Sequence, residues 1–240
     1  MVTERSAGAA CHLPVSDPTA SVTFAEVAHS LARRIEAITH PAVVAIAGPS
    51  GVGKSHLAQA ISAEFGERAA VVQADAFLRQ RLRGEREFRS DQTLPLRPAD
   101  FDADLMVQRS RALAGGKAVL VPRYEHGRGW SQPELVEPQS IVILEGLFTF
   151  GPALAEAWGD HPPDLTVYVE ADEHLLMRWR RVRDVGYRTP HESDQEWQRV
   201  RAAWYTDVIA ARAAADVVIR YTTHERAANV TARGPARAPL

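Results

Sequence analysis

The run Gly48-Pro49-Ser50-Gly51-Val52-Gly53-Lys54-Ser55 matches the phosphate-binding pattern G-x-x-x-x-G-K-[ST]. Glycines in such a loop let backbone N–H groups turn toward a polyphosphate, while the lysine reaches its outer phosphates. The serine hydroxyl can bind Mg²⁺, and the helix that follows contributes the positive end of its dipole. We therefore predict a site for a nucleoside triphosphate with Mg²⁺. The residues that we assign to nucleotide binding here are Gly48, Ser50, Gly51, Val52, Gly53, Lys54, Ser55 and His56.

The segments on either side of this loop have the required character. The apolar run Ala42–Ala47 predicts a buried strand, and residues 55–65 predict a helix. Lys54 is also one of two lysines in a chain with 28 lysine and arginine residues, and it falls where the loop needs it. The alternative is a glycine-rich turn with a chance lysine. The order of strand, loop and helix favours the phosphate loop, because a chance turn would not require a strand before it and a helix after it.

Two carboxylates end other apolar runs of the sequence. Asp75 ends the run 71–75, and beside a bound γ-phosphate it could accept the proton of an attacking hydroxyl. Glu145 ends the run 141–145, where a carboxylate could hold Mg²⁺ directly or through water. Both have plainer interpretations: Asp75 as a helix-capping or turn residue, and Glu145 as a solvated strand end.

An arginine-rich segment follows later in the chain, and it is predicted to be helical. Arg180 and Arg183 are three positions apart and share one face of that helix. Guanidinium groups can neutralise the charge that develops on a transferred phosphoryl group. A solvated basic helix face is the alternative.

The elements that must position these residues alternate along the chain between strand and helix. This order predicts an α/β fold in which a parallel sheet is covered by helices on both faces. Ligands of such sheets bind beyond the carboxyl ends of the strands, where the loop, Asp75, Tyr124 and Glu145 would all lie. We predict further strands at 69–74, 118–121, 141–144, 165–169 and 217–219, and helices at 24–38, 102–114, 152–158, 172–184 and 192–213.

The remaining segments predict loops and ends. Residues 77–101 are charged, arginine-rich and without periodicity, and a loop of that length is usually functional or mobile. Residues 123–137 predict a second polar loop. We expect a disordered N-terminus at 1–22, a folded domain at 23–221 and a frayed tail at 222–240.

Composition excludes several classes of protein. A hydrophobic fraction of 45% is ordinary for a soluble globular protein. A net charge of −2 and a pI near 6.5 argue against bulk electrostatic binding to nucleic acid. The single cysteine, Cys11, cannot form an internal disulfide, and no Cys/His spacing indicates zinc. No apolar stretch approaches the roughly 18 residues of a membrane span, and no signal pattern is present. We expect a cytoplasmic protein that does not bind membranes, and whether it forms a homo-oligomer stays open.

From about residue 43 to 219, the chain resembles the uridine kinase, phosphoribulokinase and pantothenate kinase family of P-loop kinases. The phosphate loop is the specific element, and the order and spacing of the others support it. The other matching motifs are Asp75-Ala76-Phe77, Pro98-Ala99-Asp100-Phe101-Asp102, Pro122-Arg123-Tyr124-Glu125, Glu145-Gly146-Leu147, Arg180-Arg181-Val182-Arg183-Asp184 and Ala215-Asp216-Val217-Val218-Ile219.

The resemblance implies a role for each matched residue. Asp75 would be the catalytic base, Ser55 and Glu145 would serve Mg²⁺, and Lys54 would hold the β- and γ-phosphates of ATP. Arg180 and Arg183, on a lid helix, would close over the nucleotide. The candidate acceptor-binding residues are Asp75, Phe77, Arg97, Tyr124, Arg128 and Gln195.

Departures from the family pattern bear on the acceptor. Uridine kinases carry an acid just before the His-Pro that leads into Phe-Asp, and that acid binds the ribose hydroxyls. Here Leu96 takes the place of the acid and Arg97 that of the histidine. Arg97, Arg123 and Arg128 could pair with an acidic acceptor, or they could be solvated loop arginines.

The sequence therefore predicts an ATP- and Mg²⁺-dependent kinase that phosphorylates a hydroxyl of a small molecule other than uridine. The alternatives are a P-loop NTPase that hydrolyses ATP to drive a partner, a true uridine or cytidine kinase, and a nucleotide-binding regulator without turnover. ATP is favoured over GTP because the sequence has no base-binding motif of the Asn-Lys-x-Asp type.

Overall fold

The apolar runs form a six-stranded sheet in a computed structural model that describes residues 21–79, 96–125, 129–186 and 188–232. The strands are β1 Ala42–Ala47, β2 Ala69–Gln73, β3 Val119–Glu125, β4 Gly129–Val136, β5 Ile141–Gly146, β6 Leu165–Ala171, β7 Val217–Tyr221 and β8 Ala228–Ala232. The α-helices are α1 Phe24–Glu36, α2 Lys54–Phe65, α3 Ala103–Ala114, α4 Ala155–Trp158, α5 Glu173–Asp184, α6 Pro190–Ala203 and α7 Ala210–Ala214.

The main sheet has the strand order β2-β5-β1-β6-β7-β8, and all neighbours are parallel except β7 and β8. Every residue of β1 and of β5 is buried, as expected for central strands covered on both faces. Alternate residues of β1 point to opposite faces: Val43 packs into one core cluster, and Val44 into the other. The predicted α/β fold is confirmed, with one antiparallel strand added at its edge.

Local sequence sets the start of two helices. Thr23 and Glu26 cap α1 reciprocally, because Glu26 N donates to Thr23 Oγ1 over 3.3 Å and Thr23 N donates to Glu26 Oε2 over 2.8 Å. Thr189 and Glu192 form the same capping box at α6, with Pro190 at its first position. The helix therefore starts at Pro190 rather than at the predicted residue 192.

The strand predicted at 118–121 is present within β3, but its predicted place in the parallel sheet was wrong, and so was the polar loop predicted at 123–137. Instead β3 and β4 pair with each other as an antiparallel hairpin, separate from the main sheet. The exposures explain the difference: Val121 is buried, whereas Leu120 and Leu135, which face each other across the hairpin, are 54% and 57% exposed. A strand inside the parallel sheet would be covered on both faces.

The predicted frayed tail is also corrected within the described residues. Ala228–Ala232 forms β8 against β7, and Val22 bridges to Ala228. The predicted helix 192–213 is divided by a π-helical turn at Trp204–Val208. The N-terminal residues 1–20 and most of the long predicted loop, residues 80–95, lie outside the described residues. None of the helices in the described part of the chain is long and apolar enough to cross a bilayer.

Candidate active site

The phosphate loop joins the end of β1 to the start of α2 through three glycines in the left-handed region. Their φ angles are +154° at Gly48, +88° at Gly51 and +101° at Gly53. The backbone of β6 packs closely against the loop, because a Cβ added to Gly48 would lie 2.2 Å from the carbonyl oxygen of Val169. Glycine is therefore required here for both conformation and space. Val52 completes the loop with a side chain that is fully buried in the core.

Lys54, the first residue of α2, is held in place by the loop itself. Its side chain is 7% exposed, and Nζ donates a hydrogen bond of 3.0 Å to the carbonyl oxygen of Pro49. Burial lowers the pKa of Lys54, while the charges of Glu145 and Asp75 act in the opposite direction. A buried ammonium group next to two carboxylates is positioned to meet phosphate oxygens entering the loop.

Ser55 and Glu145 place a hydroxyl and a carboxylate beside the loop. Ser55 Oγ donates a hydrogen bond of 3.0 Å to Glu145 Oε1, and Glu145 is 5% exposed. Burial raises the pKa of Glu145 to about 7, and the charge of Asp75 adds to this effect, while Lys54 and the bond from Ser55 oppose it. Ionising a buried carboxylate is costly, and the positive charge of a bound cation would offset that cost.

The two oxygen ligands suit Mg²⁺, which keeps several waters and commonly uses one or two protein oxygens together with substrate phosphates. The described part of the chain contains no group of three or more His, Cys, Asp or Glu side chains that could hold a metal ion. The assignment of Ser55 and Glu145 to Mg²⁺ stays a prediction.

Asp75 lies in the short 3₁₀ turn Ala74–Phe77, which follows β2. The last residue of that strand, Gln73, is in register with Glu145 of β5, so the ends of the two strands lie side by side. The close approach depends on Gly146, because a Cβ there would lie 2.4 Å from the Cβ of Ala74. Asp75 is half-buried and lines the same cleft as Lys54 and Glu145.

Arg180 packs directly on the phosphate loop. It is 2% exposed, and a Cβ added to Gly51 would lie 2.4 Å from its Cγ. Its Nη1 donates to Ser50 Oγ, and the guanidinium lies 5.4 Å from the ring centre of Trp197. Burial, and then the charge of Arg183, lower the pKa of Arg180 to about 10. Its Nε and Nη2 are buried without a hydrogen-bond partner in the described structure. Arg180 does not line the cleft described below, so its predicted contact with the nucleotide stays a prediction.

Most of these residues line one cleft of about 560 Å³ at the carboxyl edge of the sheet, whereas Gly48, Val52 and Arg180 are not part of its lining. Arg183 lines it from α5, and Tyr124 lines it from the hairpin strand β3. Tyr124 therefore reaches the cleft from within a separate hairpin, and not from the end of a parallel strand as predicted. The sequence-predicted residues that line the cleft are Ser50, Gly51, Gly53, Lys54, Ser55, His56, Asp75, Tyr124, Glu145 and Arg183.

Other predicted acceptor residues are not brought together there. The side chain of Phe77 is 1% exposed and belongs to the core. Arg97 lines a different cavity, together with Arg79 and Asp207. Gln195 is exposed, and its Nε2 lies 3.1 Å from His191 Nε2. The predicted Arg128 lies outside the described residues.

The sequence analysis missed an aromatic and cationic end of the cleft, formed by Trp179, His224 and Arg226. Trp179 Nε1 donates a hydrogen bond of 3.0 Å to the carbonyl oxygen of His224, and the Arg226 guanidinium lies 4.8 Å from the Trp179 ring centre. Arg226 has a φ of +60° and reaches over Gly53, where an added Cβ would lie 2.8 Å from its Nε. A signal was available: residues after β7 must also lie at the carboxyl edge of the sheet.

Comparisons with known proteins agree with this geometry. The sequence model of the Phosphoribulokinase / Uridine kinase family matches residues 43–227. A uridine kinase from Halalkalibacterium halodurans is 30% identical over 151 residues, which cover 62% of this chain and 69% of that protein.

Two solved structures show the same fold. A fructose transport system kinase candidate from Silicibacter sp. TM1040 has a TM-score of 0.53 and 25% identity, covering 80% of this chain and 93% of that one. A D-glycerate 3-kinase from Cryptococcus neoformans has a TM-score of 0.56, covering 88% of this chain and 97% of that one. At 16% identity the second similarity concerns the fold alone.

Proposed function

The chain belongs to the phosphoribulokinase/uridine kinase family, and we propose that it transfers the γ-phosphoryl group of ATP to a hydroxyl of a small molecule. The observation that carries the proposal is the convergence of Lys54, Asp75 and Glu145 on one cleft beside the phosphate loop. These three residues supply the charges that phosphoryl transfer requires: a cation for the phosphates, a base for the acceptor and a carboxylate for Mg²⁺.

In this mechanism Asp75 accepts the proton of the acceptor hydroxyl as its oxygen attacks the γ-phosphorus. The bond from the γ-phosphorus to the bridging oxygen breaks, and ADP leaves with that electron pair. Lys54 and Arg183, which both line the cleft, stabilise the negative charge that spreads over the phosphate oxygens.

Ser55 and Glu145 are the residues that would hold Mg²⁺. When bound, the ion supplies positive charge against the phosphate oxygens. The hydrogen bond from Ser55 to Glu145 fixes the orientation of the carboxylate before any ligand enters. We infer that Trp179 and Arg226 hold the adenosine part of the nucleotide, because aromatic and guanidinium faces both stack on bases.

We propose that the acceptor is not uridine. Leu96 is 7% exposed and lines the cleft at the position where uridine kinases carry an acid, and its side chain cannot accept a hydrogen bond from a ribose hydroxyl. Two of the arginines that could have bound an acidic acceptor are placed elsewhere. Arg123 pairs with Glu134 on the hairpin, and Arg97 lines the other cavity. Small hydroxyl compounds other than nucleosides, such as sugars, are the class that we propose.

The test is an ADP-release screen with nucleosides, sugars, sugar phosphates and hydroxy acids, using the Asp75→Asn protein as the control for contaminating kinases. We expect at least one non-nucleoside acceptor to stimulate ADP release, and its phosphorylated product to appear in equal amount. Efficient phosphorylation of uridine or cytidine alone would instead make the chain a pyrimidine nucleoside kinase. ADP release that no acceptor stimulates would favour the alternative of a P-loop NTPase that hydrolyses ATP to drive a partner.

A further inference from the structure

A buried carboxylate lies just behind the arginines of the cleft. Asp184, the last residue of α5, is 2% exposed. Its Oδ1 accepts a hydrogen bond of 3.0 Å from Arg183 Nε, and its Oδ2 accepts bonds of 3.4 Å from Arg188 Nη1 and 2.8 Å from Ser193 Oγ. The carboxylate thus joins the end of α5, the connection after it and α6.

The position of these groups relative to the cleft separates their roles. Arg183 and Arg188 line the cleft, whereas Asp184 does not. A buried carboxylate is costly unless it is paired and hydrogen-bonded, and two guanidinium groups and a hydroxyl provide those partners. Each guanidinium has five N–H donors in a fixed fork, so a bond from one nitrogen to Asp184 sets the direction in which the whole plane faces.

We propose that Asp184 is a positioning residue for phosphoryl transfer: it holds Arg183 and Arg188 in the orientation in which they meet the phosphate oxygens. The proposal rests on the proposed kinase function. Asp184 itself touches neither nucleotide nor acceptor and acts through the two arginines. A misplacement of a charged group by about 1 Å can cost roughly 10²-fold in rate.

The plainer alternative is that Asp184 only ties α5 to α6. Ser193, which is 6% exposed, makes the part of the cluster that joins Asp184 to α6 without involving an arginine. Ser193→Ala therefore tests the structural link by itself. Asp184→Asn keeps the size of the side chain and an acceptor oxygen but removes the charge that both guanidinium groups face.

The experiment measures kcat, the KM for ATP and the melting temperature of each full-length variant, with the best acceptor from the screen. Asp184→Asn is expected to lower kcat about 10- to 100-fold while changing the KM for ATP less than threefold. Ser193→Ala should keep kcat within about threefold of the wild type. Asp184→Glu should recover part of the lost rate, because it restores the charge. Equal losses for Asp184→Asn and Ser193→Ala would overturn the proposal.

A mutant cycle distinguishes positioning from general destabilisation. In a protein that already carries Arg183→Ala and Arg188→Ala, Asp184→Asn should change kcat less than threefold, because its effect passes through those arginines. A full additional loss in that background would refute the proposal. If the Asp184→Asn protein does not fold, the same kcat comparison is made with Asp184→Glu, alone and in the protein that carries Arg183→Ala and Arg188→Ala, and the same criteria apply. If the wild-type protein shows no acceptor-dependent turnover, the kinase function itself is refuted. If the wild type turns over and Asp184→Asn has the same kcat, only the positioning role of Asp184 is refuted.

Discussion

Ser55 Oγ donates a hydrogen bond of 3.0 Å to Glu145 Oε1, which joins the first turn of α2 to the end of β5. The two residues are far apart in the chain and meet because β1 and β5 are parallel neighbours in register, with Ile46 opposite Glu145. The bond places a hydroxyl and a carboxylate beside the phosphate loop before any metal ion binds.

Glu145→Gln tests this pair as the Mg²⁺ site. The amide keeps an oxygen for Ser55 but loses the negative charge, so we expect the Mg²⁺ concentration for half-maximal activity to rise roughly tenfold or more. A Mg²⁺ titration of the rate at saturating ATP measures it. The control is Glu134→Gln, which removes an exposed carboxylate from the hairpin. An unchanged Mg²⁺ requirement would remove Glu145 from the metal site.

Lys54→Ala is expected to lower kcat/KM by about 10²- to 10³-fold, because it removes a buried cation that faces the transferred phosphate in the proposed mechanism. Lys54→Arg should recover little of this loss, since a planar guanidinium cannot occupy the space of a compact ammonium group bound to the carbonyl of Pro49. Steady-state kinetics of both variants, with Lys117→Ala as the control, provide the measurement. Near-normal turnover by Lys54→Ala would contradict the assignment of the loop.

Asp75→Asn should remove most of the phosphoryl transfer while leaving the affinity for ATP with Mg²⁺ nearly unchanged. The substitution keeps the shape of the side chain but removes a base, which is a role typically worth about 10²- to 10⁴-fold in rate. Calorimetric titration with a non-hydrolysable ATP analogue, alongside turnover, separates the two effects. If affinity falls as much as the rate does, Asp75 is a metal ligand instead.

Arg226→Gln is expected to raise the KM for ATP about tenfold and to leave the KM for the acceptor unchanged. The substitution removes the guanidinium that lies over Trp179 and reaches across Gly53. Arg220→Gln is the matched control, because Arg220 is an exposed arginine on β7 that pairs with Asp172. A rise in the acceptor KM alone would place Arg226 at the other end of the cleft.

Gly51→Ala should lower both stability and activity. Gly51 has a φ of +88°, and a Cβ there would meet Arg180 Cγ at 2.4 Å. Gly116→Ala is the control for backbone strain, because Gly116 has a φ of +82° with nothing within 4 Å of the added atom. Strain of this kind costs about 1–3 kcal/mol. We expect both variants to melt at lower temperature but Gly51→Ala alone to lose activity, and equal activities would exclude a functional role for this contact.

The phosphate loop could be predicted from the sequence alone because its chemistry is encoded in adjacent residues. A local pattern fixes where the backbone turns and where Lys54 and Ser55 stand, whatever packs around them. The positions of Asp75, just beyond the end of β2, and of Glu145, near the end of β5, could be predicted for a related reason. Parallel strands end at a common edge, so the position in the chain already implies a place in the sheet.

The choice of partner strand could not be predicted in the same way. Residues 119–125 form a strand whether they join the main sheet or pair with the neighbouring β4 in a hairpin, and the tertiary packing decides between the two arrangements. For the same reason, β8 and the loop that carries Arg226 were expected to be a frayed tail, because the pairing of β8 with β7 is seen only in the folded sheet.

The docking of α6 shows the same limit at the level of single residues. Successive residues of a helix point about 100° apart, so Gln195 and Glu196 point in different directions from α6. The sequence offered Gln195 as an acceptor ligand, whereas the structure leaves Gln195 exposed and places Glu196 in the cleft lining. The sequence determines that this segment is a helix, but which of its faces meets the cleft depends on how Trp197 and Val200 pack into the core beneath it.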